Sequence, residues 1–269
     1  MSLDEKYLFM LDREEMKTRV KALTGFEKER DEIKVLSKII FDMDIKNIEY
    51  MKFLNINGNV LLFGKPGTGK TSICYDCMLE NTSASYYQLN MAALVSEKLG
   101  KTAQRINEVF EELLNESKKY PVYLLIEEIE TFLPNRRESK DLEDMKRALT
   151  IFMHYLDKIN PNLMVMCTTN HLESLDPAIV RRFTYKIEIT NDSIEDMEHF
   201  LTNEENPFHI FFNDELVNHK IAEKIIEKKM TFSDVENMMK RLVLRDKEKK
   251  IENVNANSLY KMIMEEENK

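Results

Sequence analysis

Three of the six glycines in this 269-residue chain fall within one short stretch, residues 64–71, which reads GKPGTGKT. The spacing is G-x-x-x-x-G-K-[ST], in which the glycines let successive backbone N–H groups turn toward a phosphate. Lys70 would reach the β- and γ-phosphates of a nucleotide, and the Thr71 hydroxyl is a candidate ligand for Mg²⁺. The residues expected to bind the nucleotide are Lys65, Pro66, Gly67, Thr68, Gly69, Lys70 and Thr71.

Two carboxylates follow an apolar run later in the chain. Residues 122–126 read VYLLI and are followed directly by Glu127 and Glu128. Charge at the end of a buried strand is costly unless it is paired or metal-bound. Beside a phosphate-binding loop, we expect Glu127 to join Thr71 in holding Mg²⁺ and Glu128 to polarise the attacking water. A solvated acidic cluster is the alternative, since Glu130 follows.

An amide and two arginines complete the candidate catalytic set. Asn170 follows another apolar run, and its amide could hydrogen-bond a γ-phosphate or the attacking water, although Asn also favours a simple polar turn. Asp176 before Pro177 is typical of a helix N-cap with proline at the first helical position. Arg181 and Arg182 then come at the end of that short helix, where the helix dipole favours cations whatever their role.

Alternating strands and helices must position these side chains. The predicted strands are the apolar runs 59–63, 86–89, 122–126, 163–167 and 185–189. Helical periodicity fills most of the sequence between them, which predicts a parallel five-stranded sheet sandwiched by helices. The helix that follows the glycine loop begins at Thr71 in this interpretation. Residues 1–50 are predicted to be helical, with an interruption at Gly25-Phe26-Glu27.

After residue 190 the strand signals stop. Segments 194–202, 214–229, 232–248 and 257–266 have helical patterns and predict a small all-helical unit. We therefore predict two domains. Residues 1–190 form N-terminal helices and an α/β nucleotide-binding domain, and residues 191–269 form a helical lid.

The composition is typical of a globular protein with a charged surface. Apolar residues make up 43% and charged residues 32%, and 39 basic against 48 acidic residues give a net charge of −9. This balance does not favour broad contact with nucleic-acid phosphates. No apolar run is long enough for a membrane span, the start has no secretory signal, and three cysteines cannot form a disulfide framework, so we expect a cytoplasmic protein.

Taken in order, these motifs resemble those of the AAA+ ATPases, and of the core AAA group in particular. GKPGTGKT resembles the Walker A motif, VYLLIEE resembles Walker B, TTN resembles the sensor-1 strand, and LDPAIVRRF resembles the second region of homology. The resemblance implies a P-loop NTPase fold with a lid, ATP and Mg²⁺ as cofactors, and a ring, commonly a hexamer, with ATP between neighbours. It also implies that Glu128 is the catalytic carboxylate, that Asn170 is sensor 1, and that Arg181 and Arg182 act on a neighbouring subunit's ATP.

The chain departs from the family pattern at four places. Glu127 stands where the family usually has Asp, and one extra methylene could slow hydrolysis. Arg181 and Arg182 are adjacent, although the core group usually separates its two arginines. Lys98-Leu99-Gly100 replaces the aromatic-apolar-glycine pore loop, which argues against threading of a polypeptide. Residues 231–234 show no sensor-2 arginine where the third lid helix would begin.

Three functions agree with these motifs. The first, which we favour, is an ATP-hydrolysing, ring-forming remodeller of a protein or complex. The second is a nucleic-acid-associated ATPase, against which the net charge of −9 counts. The third is a nucleotide-binding regulatory module with little hydrolysis, which the Glu127 departure would favour.

Overall fold

The computed structural model describes residues 7–20, 23–42, 45–94, 100–132, 139–158, 161–206, 208–245 and 255–265. The chain divides into two compact units. The first contains residues 1–18, 27–64 and 70–188, and the second contains residues 19–26, 65–69 and 189–269. The C-terminal part of the second unit therefore begins close to the predicted boundary, and the unit also takes in two segments from far earlier in the sequence. The domain assignment itself stays a prediction.

One mixed sheet organises the first unit. Its strands are β1 (Leu8–Met10), β2 (Asn59–Phe63), β3 (Ser85–Leu89), β4 (Val122–Ile126), β5 (Leu163–Thr169) and β6 (Tyr185–Glu188). The six strands lie in the order β1-β3-β4-β5-β2-β6. Strands β2 to β6 are parallel to one another, as predicted, and a sixth strand, β1, pairs antiparallel with β3.

The prediction that residues 1–50 form helices interrupted near Gly25 is wrong at β1, which is a strand. Leu8 pairs with Leu89 and Met10 with Tyr87, so β1 covers the outer edge of β3. Three residues are too few to show a period of two, and the first and third of them differ in burial. Without β1, the edge of β3 would carry unpaired backbone groups. Pairing with this edge, more than the local sequence, makes residues 8–10 a strand.

Helices alternate with the strands along the chain. Those before β6 are α1 (Arg13–Val20), α2 (Glu27–Phe41), α3 (Ile45–Leu54), α4 (Lys70–Leu79), α5 (Met91–Leu94), α6 (Lys101–Ser117), α7 (Ser139–Asp157) and α8 (Pro177–Val180). Helix α4 begins one residue earlier than predicted. Short 3₁₀ turns follow β4 at Ile129–Phe132 and β5 at Leu172–Ser174.

Both faces of the sheet are covered, which explains why the central strands read as continuous apolar runs. Every residue of β4 and β5 is buried. On one face, Phe110 of α6 stacks on Tyr155 of α7 with ring centroids 4.7 Å apart. On the other face, the hydroxyl of the fully buried Tyr123 lies 2.7 Å from Ser37 Oγ of α2, so the buried polar group is hydrogen-bonded.

The second unit contains the C-terminal helices. They are α9 (Ile194–Thr202), α10 (Glu215–Glu227), α11 (Phe232–Arg245) and α12 (Ala256–Glu265), with a 3₁₀ turn at His209–Phe211. Their apolar faces form one core that includes Phe200, Ile221, Met238 and Leu259. No helix in the described part of either unit is long and apolar enough to cross a membrane.

Candidate nucleotide-binding and hydrolysis site

The carboxyl ends of three parallel strands bring the predicted metal ligands and the predicted catalytic residues Glu128 and Asn170 to one edge of the sheet. Arg181 and Arg182 precede β6, and the Arg182 carbonyl accepts from Asn59 at the start of β2, so the structure places these two arginines at the opposite edge. Phe63 of β2 pairs with Thr169 of β5, and Ile126 of β4 pairs with Cys167 of β5. The segments that leave these strands carry the lysine-threonine pair, the two acids and Asn170, the predicted sensor. In open parallel sheets, ligands bind outside these carboxyl ends.

The lysine and threonine that end the glycine motif start helix α4. Lys70 Nζ donates to the carbonyl of Gly64 at 2.9 Å, and the lysine is only 7% exposed. Burial lowers the pKa of the Lys70 ammonium, while the nearby charges of Glu130 and Glu128 act in the opposite direction. A poorly hydrated ammonium loses little solvation on meeting a phosphate, which suits the role predicted for it.

The metal-binding prediction concerns Thr71 and Glu127, which the structure brings together. Thr71 Oγ1 donates to Glu127 Oε1 at 2.6 Å, although 56 residues separate them. The hydroxyl lies in the first turn of α4 and the carboxylate directly follows β4. One hydroxyl and one carboxylate form a hard oxygen donor pair of the kind that Mg²⁺ prefers.

The second acid has an unusual backbone. Glu128 has φ of 48°, a left-handed conformation that non-glycine residues adopt infrequently and that recurs at functional sites. Its N–H donates to Thr168 Oγ1 at 3.3 Å, and its side chain is exposed. Asn170 Nδ2 donates to Glu128 Oε1 at 3.4 Å, so the predicted sensor and the predicted catalytic carboxylate are in contact.

Glu130, which the sequence analysis placed only in a possible acidic cluster, is hydrogen-bonded to the backbone of Asn170, the predicted sensor. Its Oε1 accepts from the backbone N–H of Asn170 at 2.9 Å. Its Oε2 is buried and has no hydrogen-bond partner among the described residues. The sequence shows only that Glu130 lies two residues after Glu128. Its contact with the backbone of Asn170 depends on the fold.

The two arginines differ in their surroundings. Asp176 caps α8 as predicted, accepting from the Ala178 N–H at 2.7 Å, and the arginines follow the last turn. Arg182 Nε lies 2.9 Å from Asp157 Oδ1. The Arg181 side chain is exposed and makes no hydrogen bond or ion pair in the described part of the chain.

Two buried asparagines, which the sequence analysis did not single out, hydrogen-bond to the backbone carbonyl of Arg182. Asn59 Nδ2 donates to the carbonyls of Leu156 at 2.7 Å and Arg182 at 3.0 Å. Asn57 Nδ2 also donates to the Arg182 carbonyl, at 3.3 Å, and Asn57 Oδ1 accepts from Thr184 Oγ1 at 2.8 Å. The strand that leads to the glycine loop is thereby hydrogen-bonded to the arginine turn.

The middle of the glycine loop, residues 65–69, belongs to the second unit. Thr68 Oγ1 donates to the carbonyl of Lys65 at 3.0 Å, which closes the loop on itself. Gly67 and Gly69 have φ of 76° and 95°, so both need glycine. A Cβ on Gly67 would lie 2.5 Å from Ser233 Cβ at the start of α11, which makes glycine necessary there for space as well.

Helix α11 begins where the resemblance places the third lid helix. Thr231 Oγ1 accepts from the Asp234 N–H at 3.3 Å, and Asp234 Oδ2 accepts from the Thr231 N–H at 2.8 Å, a reciprocal capping box. Lys98 and Leu99 of the unusual pore-loop segment lie outside the described residues.

Comparison with known proteins identifies the family. Residues 60–191 match the model of the ATPase family associated with various cellular activities (AAA). The chain belongs to the AAA ATPase family. The matched region runs from β2 to just beyond β6, and it therefore includes every side chain predicted to act in catalysis, in metal binding or in nucleotide binding.

Two curated relatives of this AAA protein illustrate how the similarity is distributed. A putative cell division cycle ATPase of Plasmodium falciparum (isolate 3D7) is 31% identical over 197 residues, which are 70% of this chain and 15% of that protein. A putative pachytene checkpoint protein 2 of Caenorhabditis elegans is 28% identical over 178 residues, 55% of this chain and 42% of that protein. The chain thus spans less than half the length of either relative.

Two solved structures share the fold. A chain of the HORMA:CdnC:Trip13 complex of E. coli MS115-1 superposes with a TM-score of 0.78 at 18% identity, covering 97% of this AAA chain and 96% of that one. C. elegans PCH-2 superposes with a TM-score of 0.64 at 16% identity, covering 100% of this chain and 77% of that one. At these identities the likeness establishes the fold alone.

Proposed function

We propose that this AAA protein binds ATP with Mg²⁺ and hydrolyses it to ADP and phosphate. The observation that carries the proposal is the 2.6 Å contact between Thr71 and Glu127. Lys70 precedes the hydroxyl in sequence and Glu128 follows the carboxylate, so phosphate-binding, metal-binding and water-activating groups are adjacent. A Mg²⁺ ion held by one hydroxyl and one carboxylate takes its remaining ligands from phosphates and water.

Each residue has a defined part in the proposed reaction. When bound, Mg²⁺ neutralises charge on the phosphate oxygens. Lys70 binds the β- and γ-phosphates, and Thr71 and Glu127 hold the metal. Glu128 orients the attacking water and accepts its proton, and Asn170 fixes the Glu128 carboxylate from the neighbouring strand, as their 3.4 Å contact suggests.

The proposed reaction also needs a cation that stabilises the charge on the transferred phosphoryl group. Arg181 is the better candidate for an arginine that acts on a neighbouring copy's ATP, because it is exposed, whereas Arg182 is paired with Asp157. We therefore propose a ring of copies, six being the number that the family resemblance implies. In this arrangement Arg182 and Asp157 orient the turn and Arg181 contacts the γ-phosphate.

We further propose that the ring remodels a protein partner. The solved complex with the higher TM-score contains HORMA and CdnC together with Trip13, so a HORMA protein is the first partner to test. A net charge of −9 gives no support to a nucleic-acid partner, and stimulation of hydrolysis by added DNA would favour that alternative. Absence of any turnover would favour the regulatory-module alternative.

Replacement of Lys70 tests nucleotide binding directly. We expect Lys70→Ala to weaken ATP binding by about tenfold or more, because the variant removes the ammonium that pairs with the β- and γ-phosphates. The measurement is the dissociation constant of a fluorescent ATP analogue. Lys118→Ala, which removes an exposed lysine at the end of α6, is the matched control and should bind like the wild type. Unchanged affinity in a folded Lys70→Ala protein would contradict the assignment of the loop.

A further inference from the structure

Gln88 lies beside the acid that is proposed to bind the metal. It is the fourth residue of β3, and it pairs in register with Leu125 of β4. Side chains two residues apart on a strand share a face, so Glu127 emerges on the same side of the sheet as Gln88, one diagonal step away. Such diagonal neighbours are about 7–8 Å apart, a distance that only long side chains can bridge.

The two side chains bridge this distance. Gln88 Nε2 donates a hydrogen bond to Glu127 Oε2, while Thr71 Oγ1 donates to Glu127 Oε1 at 2.6 Å. Each carboxylate oxygen therefore accepts from a different element, β3 on one side and α4 on the other. Gln88 is half-buried and lines a cleft of about 390 Å³ together with Glu127 and Glu128, so its amide faces the acids and not the hydrophobic core.

A glutamate has one more rotatable bond than an aspartate at the same position. Left unanchored, its carboxylate would populate several rotamers, and fixing it for metal binding would cost side-chain entropy. Partners that hydrogen-bond a metal-ligating carboxylate reduce this cost and set its orientation. Gln88 has the length and the donor group to do so, and it lies on the strand adjacent to β4.

We infer that Gln88 is a positioning residue that orients the Glu127 carboxylate toward Thr71 and thereby sets the Mg²⁺ requirement of nucleotide binding. The inference rests on the proposed function, since it presumes that Thr71 and Glu127 hold Mg²⁺. It accounts for the use of glutamate at residue 127: the longer acid loses mobility because a long amide on the next strand holds it.

The test is a Mg²⁺ titration of nucleotide binding with a fluorescent, non-hydrolysable ATP analogue. Gln88→Met keeps the length of the side chain and removes its amide. We expect the Mg²⁺ concentration for half-maximal binding to rise about tenfold, as is typical when the partner of a metal ligand is lost. Affinity for the analogue in EDTA should not change. Gln104→Met is the matched control, because Gln104 also donates to a glutamate, Glu108, at 2.7 Å, but on the exposed face of α6.

The same titration in a Glu127→Asp background shows whether the effect passes through Glu127. Aspartate is one methylene shorter and beyond the reach of Gln88, so Gln88→Met should then have no further effect, which gives a non-additive double-mutant cycle. An unchanged Mg²⁺ requirement in Gln88→Met would overturn the inference, as would an equally large effect of Gln88→Met in the Glu127→Asp background. A wild-type protein whose nucleotide binding ignores Mg²⁺ would instead overturn the proposed function, and the inference with it.

Discussion

Glu128→Gln is expected to reduce ATP turnover about 10²- to 10⁴-fold, the range associated with loss of a general base. ATP affinity should stay near the wild-type value, because glutamine keeps the size of the side chain and can still accept from Asn170, the 3.4 Å contact of the wild type. Single-turnover phosphate release and equilibrium ATP binding measure the two quantities separately. The variant should therefore accumulate bound, unhydrolysed ATP.

Glu173→Gln is the matched control for this variant. Glu173 is exposed on the 3₁₀ turn that follows β5, close in sequence to Asn170. The Glu173→Gln protein should hydrolyse ATP at the wild-type rate. Wild-type turnover by a folded Glu128→Gln protein would mean that the acid has another role and that the left-handed backbone at residue 128 serves something other than hydrolysis.

Arg181→Ala is expected to slow hydrolysis by about 10³-fold or more while ATP still binds, because an arginine supplied to another subunit's phosphates contributes on this scale in related enzymes. Arg182→Ala should reduce the hydrolysis rate less, because Arg182 is paired with Asp157 and acts only by orienting the backbone turn. Steady-state phosphate release at saturating ATP compares the two variants under the same conditions.

Mixing provides the stronger test of this arginine. The Arg181→Ala and Glu128→Gln proteins are each expected to hydrolyse ATP far more slowly than the wild type. A mixed interface can place an intact Glu128 of one copy opposite an intact Arg181 of another. Equal mixtures should therefore recover a measurable fraction of the wild-type rate, and the recovery should grow with total protein concentration. If the mixture stays as inactive as its components at concentrations where the wild type is active, Arg181 does not act on a neighbouring copy.

The parts of the fold that the sequence predicted are those with a strong local signal. Strands β2 and β4 have the predicted bounds because both are continuous apolar runs buried on two faces. The glycine spacing likewise located the loop between β2 and α4 that we propose binds phosphate. Strand β1 was missed because it pairs with β3, which is distant in the sequence, so tertiary structure and not a local period determines it.

The sequence predicted individual residues of the candidate site but not the hydrogen bonds and ion pairs between them. Motif spacing identified Thr71, Glu127, Glu128 and Asn170, each directly after a strand or at a helix start. Gln88 belongs to none of the sequence motifs. Only the register of β3 with β4 places it beside Glu127. The different surroundings of the two arginines also required the fold, because the ion pair of Arg182 is made with the last residue of helix α7.

The central claim, that hydrolysis takes place at a site completed by another copy of the chain, is tested most directly by the concentration dependence of turnover. Phosphate release per mole of chain should be measured across dilution at saturating Mg²⁺ and ATP, with the molecular mass of the same samples determined by light scattering. We expect activity per mole to fall as the protein dissociates and to rise again with assembly. Activity per mole that stays constant down to concentrations where the protein is monomeric, or that is absent in the assembled protein, would contradict the account.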